Sequence, residues 1–497
     1  KLTAVFSAQA RYAAVRLTMP MYTRLFFSKK IYETILRYDR LAASKGEDRL
    51  PTGKIEFVPG GKERLASYRA ALLKKDLSAA AVEALVKVIK SGDELTISRL
   101  RPYALADVWN MPRRAILELC LQATRVGMLE FQWEFLCPLC RGPQQKVTAL
   151  ADATSKLHCD SCNIDFEVNL DRSVELTFRP NQAIRQYTVK TFCVGGPNLT
   201  PHIVVQQRLK PGESKTISPM LEVGRYQLRL FRQAGSQFLA VKKEGAQNFS
   251  ITAGEPWNDQ EVSISPTPTI NFANQTSEEQ VYVLERIAWT DQAATAAEVT
   301  ALQAFRDLFS AEALRSGEQI SVGTMTIVFT DLKGSTKMYQ EIGDAPAFGL
   351  VLTHFDVIKA AIAEYDGAIV KNIGDAIMAV FRRPANAIQA MLKAQAALGM
   401  PEARQRPLTL RSGMHAGPCI AVNLNNRLDY FGTTVNKAAR LEGKSLGNDV
   451  VVSEDVYNDP EVKRLVAQGG GYKSEMFEDE LKGFEGKARL YRISIAK

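Results

Sequence analysis

The sequence predicts a multidomain α+β protein, and three observations carry that expectation. The chain has 497 residues, room for roughly three domains of ~150 residues. Hydrophobic residues make up 46% and charged residues 24%, the balance of a globular chain with real cores. The hydropathy pattern changes from helical spacing, through short alternating strands, to mixed strands and helices. This composition excludes a disordered, collagen-like or disulfide-stapled chain. No run approaches the ~20 apolar residues needed to span a bilayer, and MTIVF at 325–329 suits a buried strand. With no transmembrane segment and no secretory leader in the sequence as it stands, the expected location is the cytoplasm.

Residues 1–92 read as a basic, mostly helical region of unassigned role, its last amphipathic stretch stopping at Gly92. The net charge of +9 is concentrated upstream of residue 321, which suits an anionic partner or an ordinary solvated surface. Residues 93–136 order a short helix around Ala104–Trp109, a turn at Asn110–Pro112, a helix at Arg113–Thr124 and a strand. That is a winged-helix-like outline. Arg113 and Arg114 open the second helix, where a DNA-reading helix presents its contacts. No wider basic stripe follows, so an interaction domain with solvent-facing arginines is the plainer reading.

Residues 137–173 carry Cys137-Pro-Leu-Cys140, eighteen residues, then Cys159-Asp-Ser-Cys162. Two such knuckles can wrap four thiolates around one tetrahedral Zn²⁺, a closed structural shell that makes this a zinc ribbon. Cys120, Cys193 and Cys419 read as ordinary buried thiols. Residues 174–286 hold short alternating segments (VELTF, YTVKTF, HIVVQQRL, RYQLRLF, FLAVKK, NFSITA, QVYVLERI) separated by turn residues, a β-sandwich pattern. Residues 287–320 form a helical connector. Its apolar stripe of Val299, Leu302, Phe305, Leu308 and Phe309 suits a dimer partner, a neighbouring domain or the chain's own core.

The chemistry lies in residues 321–497. TMTIVFTDLKGSTKMYQEIG is a buried strand ending at Asp331, then a turn into a helix. A strand-end carboxylate followed by free backbone N–H groups at Gly334, Ser335 and Thr336 can hold a metal and cradle phosphates. In YDGAIVKNIGDAIMAVF, two strands flank an acidic tip at Asp375. Placed beside Asp331, it makes a two-carboxylate site of the kind that holds a Mg²⁺ pair. Farther on, Asn436 and Arg440 lie four apart, on one helix face. Lys333 and Lys337 are read as solvated, and His354 and His415 as structural.

The order and spacing of FTDLKGST, VKNIGDA and DYFGTTVNKAARLE resemble the class III nucleotidyl cyclases from about Val322 to Ile493. The upstream motifs RPYALADVWNMPRRAIL, CPLC…CDSC and VELTFRP look like a bacterial accessory region that precedes such domains. The resemblance implies a ferredoxin-like α/β domain and two Mg²⁺ or Mn²⁺ per site, bound by Asp331, Asp375 and the Leu332 carbonyl. It implies base selection by Lys371 and Asp429. Asn436 would orient the ribose, Arg440 would neutralise charge on the transferring phosphoryl group, and Lys482 would hold the triphosphate. It further implies a head-to-tail homodimer, because each site draws on two catalytic domains.

The base then follows from donor and acceptor order. Adenine presents an amino donor for Asp429 beside a ring-nitrogen acceptor for Lys371. Guanine reverses that order, and each mismatched buried polar group costs on the order of 1–3 kcal/mol. Cytosine repeats adenine's order, so CTP is excluded only by pocket size and stacking. The expected function is an adenylate cyclase making cyclic AMP and pyrophosphate from ATP, gated by its N-terminal region. That region would take an unknown ligand, protein or nucleic acid. The alternatives are a cytidylate or other nucleotide cyclase, and a nucleic-acid-binding regulator with a non-catalytic cyclase fold.

Overall fold

The computed structural model describes Glu33 and residues 56–138, 141–159, 164–187, 203–230, 236–255, 261–286, 292–400, 406–467 and 471–496. The chain divides into two units, Lys1–Glu56 and Phe57–Lys497. In the first unit Glu33 is helical; everything below concerns the second.

The upstream region opens with helices α1 (Gly61–Leu73), α2 (Ala79–Ser91), α3 (Pro102–Trp109) and α4 (Arg113–Arg125). Ser78 caps α2 by accepting from the Ala81 N–H, and Gly92 ends it. Ala81, Val82, Leu85, Val86 and Ile89 form its buried stripe, the helical period that fixes which face turns inward. Strands β1 (Leu129–Leu136), β2 (Pro143–Val147), β3 (Lys156–Cys159), β4 (Ile164–Glu167) and β5 (Val174–Pro180) follow. Next come β6 (Ile203–Leu209), β7 (Ser214–Ile217), β8 (Gly224–Leu230), β9 (Ser236–Ala253), β10 (Val262–Asn274) and β11 (Gln280–Arg286). The connector holds β12 (Ala294–Thr295) and two short helices, α5 (Ala296–Val299) and α6 (Gln303–Leu308).

Several expectations change here. VELTF is not part of the downstream β-domain: as β5 it lies between β1 and β12 in an antiparallel sheet ordered β12-β5-β1-β2. Its buried Glu175 pairs with Arg99 and Arg101, and Glu134 beside it on β1 pairs with Arg99 and Lys146. The helix–helix–strand outline is present, with Arg113 exposed and Arg114 partly so, and both are engaged by partners of the same chain. Arg113 binds Asp107 at 2.9 Å and lies over Tyr103, while Arg114 binds Glu118, Asp366 and the Ala363 carbonyl. Intrachain partners occupy the positions where DNA contacts would sit.

The segments assigned to a β-sandwich form one continuous six-stranded sheet, ordered β6-β11-β8-β9-β10-β7, rather than two stacked sheets. FLAVKK and NFSITA are halves of the single strand β9, and this sheet shares one apolar core built from Tyr226, Leu228, Leu239, Ile264, Phe272, Tyr282 and their neighbours. Strand β10 was hidden in the sequence by Pro266 and Pro268, which demote a strand reading. Both prolines lie where the β9–β10 register breaks, between Ile264 and Thr269. YTVKTF, with Cys193, lies outside the described residues.

Cys137 and Cys159 are fully buried in one cluster, flanked by Ile164 and Phe166. Cys140 and Cys162 lie outside the described residues, among which no group of three or more His, Cys, Asp or Glu is placed to hold a metal. The connector's stripe is buried within the chain: Val299, Leu302 and Phe305 join the upstream core, with Leu308 and Phe309 packed against it.

The C-terminal domain runs β13 (Gln319–Leu332), α7 (Ser335–Ile342), α8 (Asp344–Glu364), β14 (Gly367–Ile373), β15 (Ala376–Phe381), α9 (Pro384–Gly399) and β16 (Leu410–Leu424). It ends with β17 (Arg427–Phe431), α10 (Thr433–Glu442), β18 (Asp449–Ser453), β19 (Tyr472–Glu480) and β20 (Lys487–Ile495). The sheet order is β14-β15-β13-β16-β18-β20-β19, with β17 paired to β16. Its first four strands are antiparallel and make the ferredoxin-like βαββαβ core. Helix α8 is long and apolar enough to cross a membrane by length and composition. It packs against the sheet through Ala347, Val351, Ile358 and Ile362.

Both faces of this sheet are buried, which explains the unbroken apolar runs MTIVF and AIMAVF. Along β15, Ile377, Ala379 and Phe381 meet α8 and α9. Met378 and Val380 alternate to the other face, into the core that holds Trp133, Phe305 and the α4 leucines. Hydrogen bonds stitch the same contact: Leu170 N–H to the Ser321 carbonyl at 2.8 Å, and Arg382 to Asp171 at 2.6 Å. The upstream region and the catalytic sheet therefore share one core.

Close packing on this sheet also places α10. A methyl group on Gly413 of β16 would lie 1.9 Å from the Glu442 nitrogen and 2.3 Å from the Leu441 carbonyl carbon. Gly413→Ala should therefore destabilise the protein by about 1–3 kcal/mol and lower turnover by displacing Asn436 and Arg440. Thermal unfolding together with an activity assay checks both effects.

Candidate active site

The carboxylates come together through strand register. Thr330 on β13 pairs with Ile377 on β15, so Asp331 and Asp375 meet diagonally where the two strands end. Burial, then the Asp375 charge, raises the Asp331 pKa above the ordinary carboxylate range, and Arg411 across the strand pair opposes the rise. Asp375 Oδ2 is buried and accepts no hydrogen bond. A half-buried carboxylate pair with an orphaned oxygen fits divalent cations. Among the described residues no third His, Cys, Asp or Glu is placed to complete a metal site with them, so remaining ligands would come from backbone carbonyls, water and phosphate oxygens.

Beside the pair, Gly334 precedes α7 at φ 77°, and no side chain caps that helix. The N–H groups of its first turn, from Ser335 and Thr336, are therefore oriented for an anion. Leu332 ends β13. Lys333 donates to the Leu446 carbonyl at 2.9 Å, and Lys337 pairs with Glu341 at 3.6 Å. Neither lysine is committed to the turn.

Lys371 and Asp429 also meet: Nζ donates to Oδ2 at 2.6 Å. Asp429 is buried, and its Oδ1 accepts from the Tyr430 N–H at 2.8 Å. A register irregularity at β14, between Ile369 and Lys371, re-aims the lysine as bulges do. Asn436 and Arg440 are exposed on α10, whose buried side is Thr434, Ala438 and Leu441. Lys482 is exposed in the turn between β19 and β20.

Two groups had no sequence signal because only the tertiary structure reveals them. Arg411 is the cross-strand partner of Asp331. Glu442, at the end of α10, has its carboxyl pushed up to about 7 by burial and by Asp331 and Asp375, against Arg411. The two histidines are buried and held neutral. Burial pushes His354 down to about 4, and burial with Lys437 does the same to His415. His415 Nδ1 meets Ser453 Oγ at 2.7 Å.

The raised carboxyls fix a pH dependence. Glu442 takes up its proton at about 7 when folded against an ordinary value of 4.5. The folded state thus binds more protons in that window, and stability without metal falls as pH rises from about 4.5 to 7. Cations binding beside these groups must displace protons, so Mn²⁺ affinity should weaken as pH falls from 8 to 6. Glu442→Gln should flatten both trends and raise the metal-free melting temperature at pH 8. Calorimetric Mn²⁺ titrations and thermal melts across that range test this.

Residues 318–493 match the adenylate and guanylate cyclase catalytic domain, and residues 65–191 match a family of unknown function (DUF5939). The adenylate cyclase of Lachancea kluyveri is 32% identical over 155 residues, 27% of this chain and 8% of that protein. Guanylate cyclase 2D of Rattus norvegicus is 29% identical over 191 residues, 35% of this chain and 17% of that protein. The chain thus spans less than a fifth of either relative's length. Among solved structures, the adenylyl cyclase CyaB from P. aeruginosa is 22% identical, covering 36% of this chain and 97% of that one at a TM-score of 0.31. The C-terminal domain of this protein is a class III adenylate/guanylate cyclase catalytic domain, preceded by a DUF5939 region.

Proposed function

We propose that the protein is an adenylate cyclase that converts ATP to 3′,5′-cyclic AMP and pyrophosphate as a homodimer. The observation that carries the reaction is the meeting of Asp331 and Asp375, with an unpartnered buried oxygen, beside an uncapped helix N-terminus. Two Mg²⁺ or Mn²⁺ ions, held by Asp331, Asp375 and the Leu332 carbonyl, would acidify the ribose 3′-hydroxyl and neutralise the triphosphate. The first-turn amides of α7 and Lys482 bind phosphate oxygens. Asn436 orients the ribose, and Arg440 supplies a fixed guanidinium where charge builds on the α-phosphoryl group.

Helix geometry supports a site shared between two chains. Glu442 lies close enough to feel its own chain's aspartates. Arg440, two residues earlier, is turned about 200° from it, and Asn436 lies within about 40° of Arg440. Both therefore point away from the aspartates of the same chain and serve those of a partner. Adenine would insert at the Lys371–Asp429 pair, with Asp429 accepting from the amino group and Lys371 donating to the ring nitrogen. Upstream, a structural Zn²⁺ bound by Cys137, Cys140, Cys159 and Cys162 accords with the joint burial of Cys137 and Cys159. A cytoplasmic location and regulation through the upstream region complete this reading.

The test uses the full chain, because removing the upstream region would expose a face of the catalytic sheet. Incubated with ATP, GTP, CTP and UTP plus Mn²⁺, the protein should yield cyclic AMP by mass spectrometry. Asp375→Ala should lower the rate about 10²–10³-fold. Cyclic CMP as the main product would overturn the base assignment, and no cyclic product from any nucleotide would overturn the enzyme.

A further inference from the structure

Three connector side chains reach the two strands that carry Lys371 and Asp429. Gln303 is buried, and its Oε1 accepts from the Ile369 N–H at 2.8 Å, where the register of the edge strand β14 breaks. Its Nε2 donates to Asp307 at 2.8 Å, which fixes the amide's orientation. Arg306 donates through Nη1 to the Leu428 carbonyl at 3.1 Å and through Nε to the Thr300 carbonyl at 2.8 Å. Its guanidinium also sits 5.5 Å from the centre of the Tyr430 ring. The Thr300 hydroxyl meets the Tyr430 hydroxyl at 3.0 Å.

Both residues flanking Asp429 are thus held by the connector, as is the backbone two residues before Lys371. The connector is itself anchored upstream: Phe305 packs edge-on to Trp133 at 5.9 Å, and Phe309 to Phe131 at 5.1 Å. A cavity of about 570 Å³ opens beside this network, lined in part by Gln303, Arg306, Lys371 and Leu428. That is the size of small-molecule sites.

We propose that Gln303 and Arg306 are positioning residues for nucleotide choice, fixing from the connector the backbone that aims Lys371 and Asp429 at the base. The proposal rests on the cyclase reading and on those two residues facing the base. Discrimination by hydrogen bonds requires the donor and acceptor to be held where one base satisfies both and another leaves both unpaired. A lysine beside a register break on an edge strand, and an aspartate on a five-residue strand paired to β16, do not supply that rigidity alone. Here the upstream region supplies it, and so has direct purchase on which nucleotide is used.

The test measures kcat and KM for ATP and GTP, and inhibition by pyrophosphate, in the full-length protein and in Gln303→Leu, Arg306→Ala and Arg306→Lys. Gln303→Leu and Arg306→Ala should reduce the ratio of kcat/KM between preferred and disfavoured nucleotide about tenfold, mainly through KM of the preferred one. Pyrophosphate inhibition, which does not involve the base, should stay within about twofold of the wild-type value. Arg306→Lys, which can still donate to the Leu428 carbonyl, should retain most of the ratio. If Arg306→Ala does not fold, Thr300→Val, similar in shape but without the hydroxyl, should shift the ratio in the same direction by about threefold. An unchanged ratio, or equal losses for both nucleotides, would overturn the proposal. A wild-type protein that turns over neither nucleotide would instead remove the cyclase reading beneath it.

Discussion

Two carboxylates, Asp331 and Asp375, are forced together where β13 and β15 end, and the rest of the catalytic domain is arranged around that repulsion. Arg411 opposes part of it, while Glu442 adds to it by approaching from α10 with a carboxyl that readily holds a proton. Like charges in a half-buried place are unfavourable on their own, and a buried oxygen without a donor adds to the penalty. The register that creates the clash cannot relax. Both strands are sealed on both faces, and a slip by one residue would exchange the side chains fitted to two different cores. The sheet therefore holds a carboxylate repulsion that bound cations would relieve.

The second face of that sheet ties the upstream region to the chemistry. Met325, Ile327, Met378 and Val380 lie in the same core as Trp133 and Phe305, so the described upstream residues and the C-terminal sheet pack as one body. Arg114 from α4 reaches Asp366 in the turn before β14, and the connector holds the strands that carry Lys371 and Asp429. A change in the upstream sheet would reach Lys371 and Asp429 through packed aromatic rings and three side-chain hydrogen bonds.

The C-terminal domain was largely legible in the sequence. MTIVF and AIMAVF announce strands buried on both faces, and the acidic turn at Asp375 and the Gly-Ser-Thr turn sit where local patterns place them. The structure brings Asp375 beside Asp331 and Lys371 onto Asp429. Glu442 and Arg411 were not legible, because strand register brings Arg411 to Asp331 and helix packing brings Glu442, from segments ~80–110 residues away. Upstream, local reading found helices and strands but joined them wrongly. VELTF pairs backwards with β1, and Pro266 and Pro268 concealed β10 because a register break accommodates them. The arginines that suggested DNA are committed to acids of the same chain, one of them more than two hundred residues away.

In the proposed homodimer each site is shared by two chains, with metal-binding carboxylates from one and Asn436 and Arg440 from the other. The most direct measurement mixes two full-length inactive variants, Asp331→Ala and Arg440→Ala, under conditions that allow subunits to exchange, and follows cyclic nucleotide formation. Half of the dimers would then be mixed, each with one intact site. The account predicts recovery of about a quarter of wild-type activity, although neither variant is active alone. A mixture no more active than its two components would contradict it.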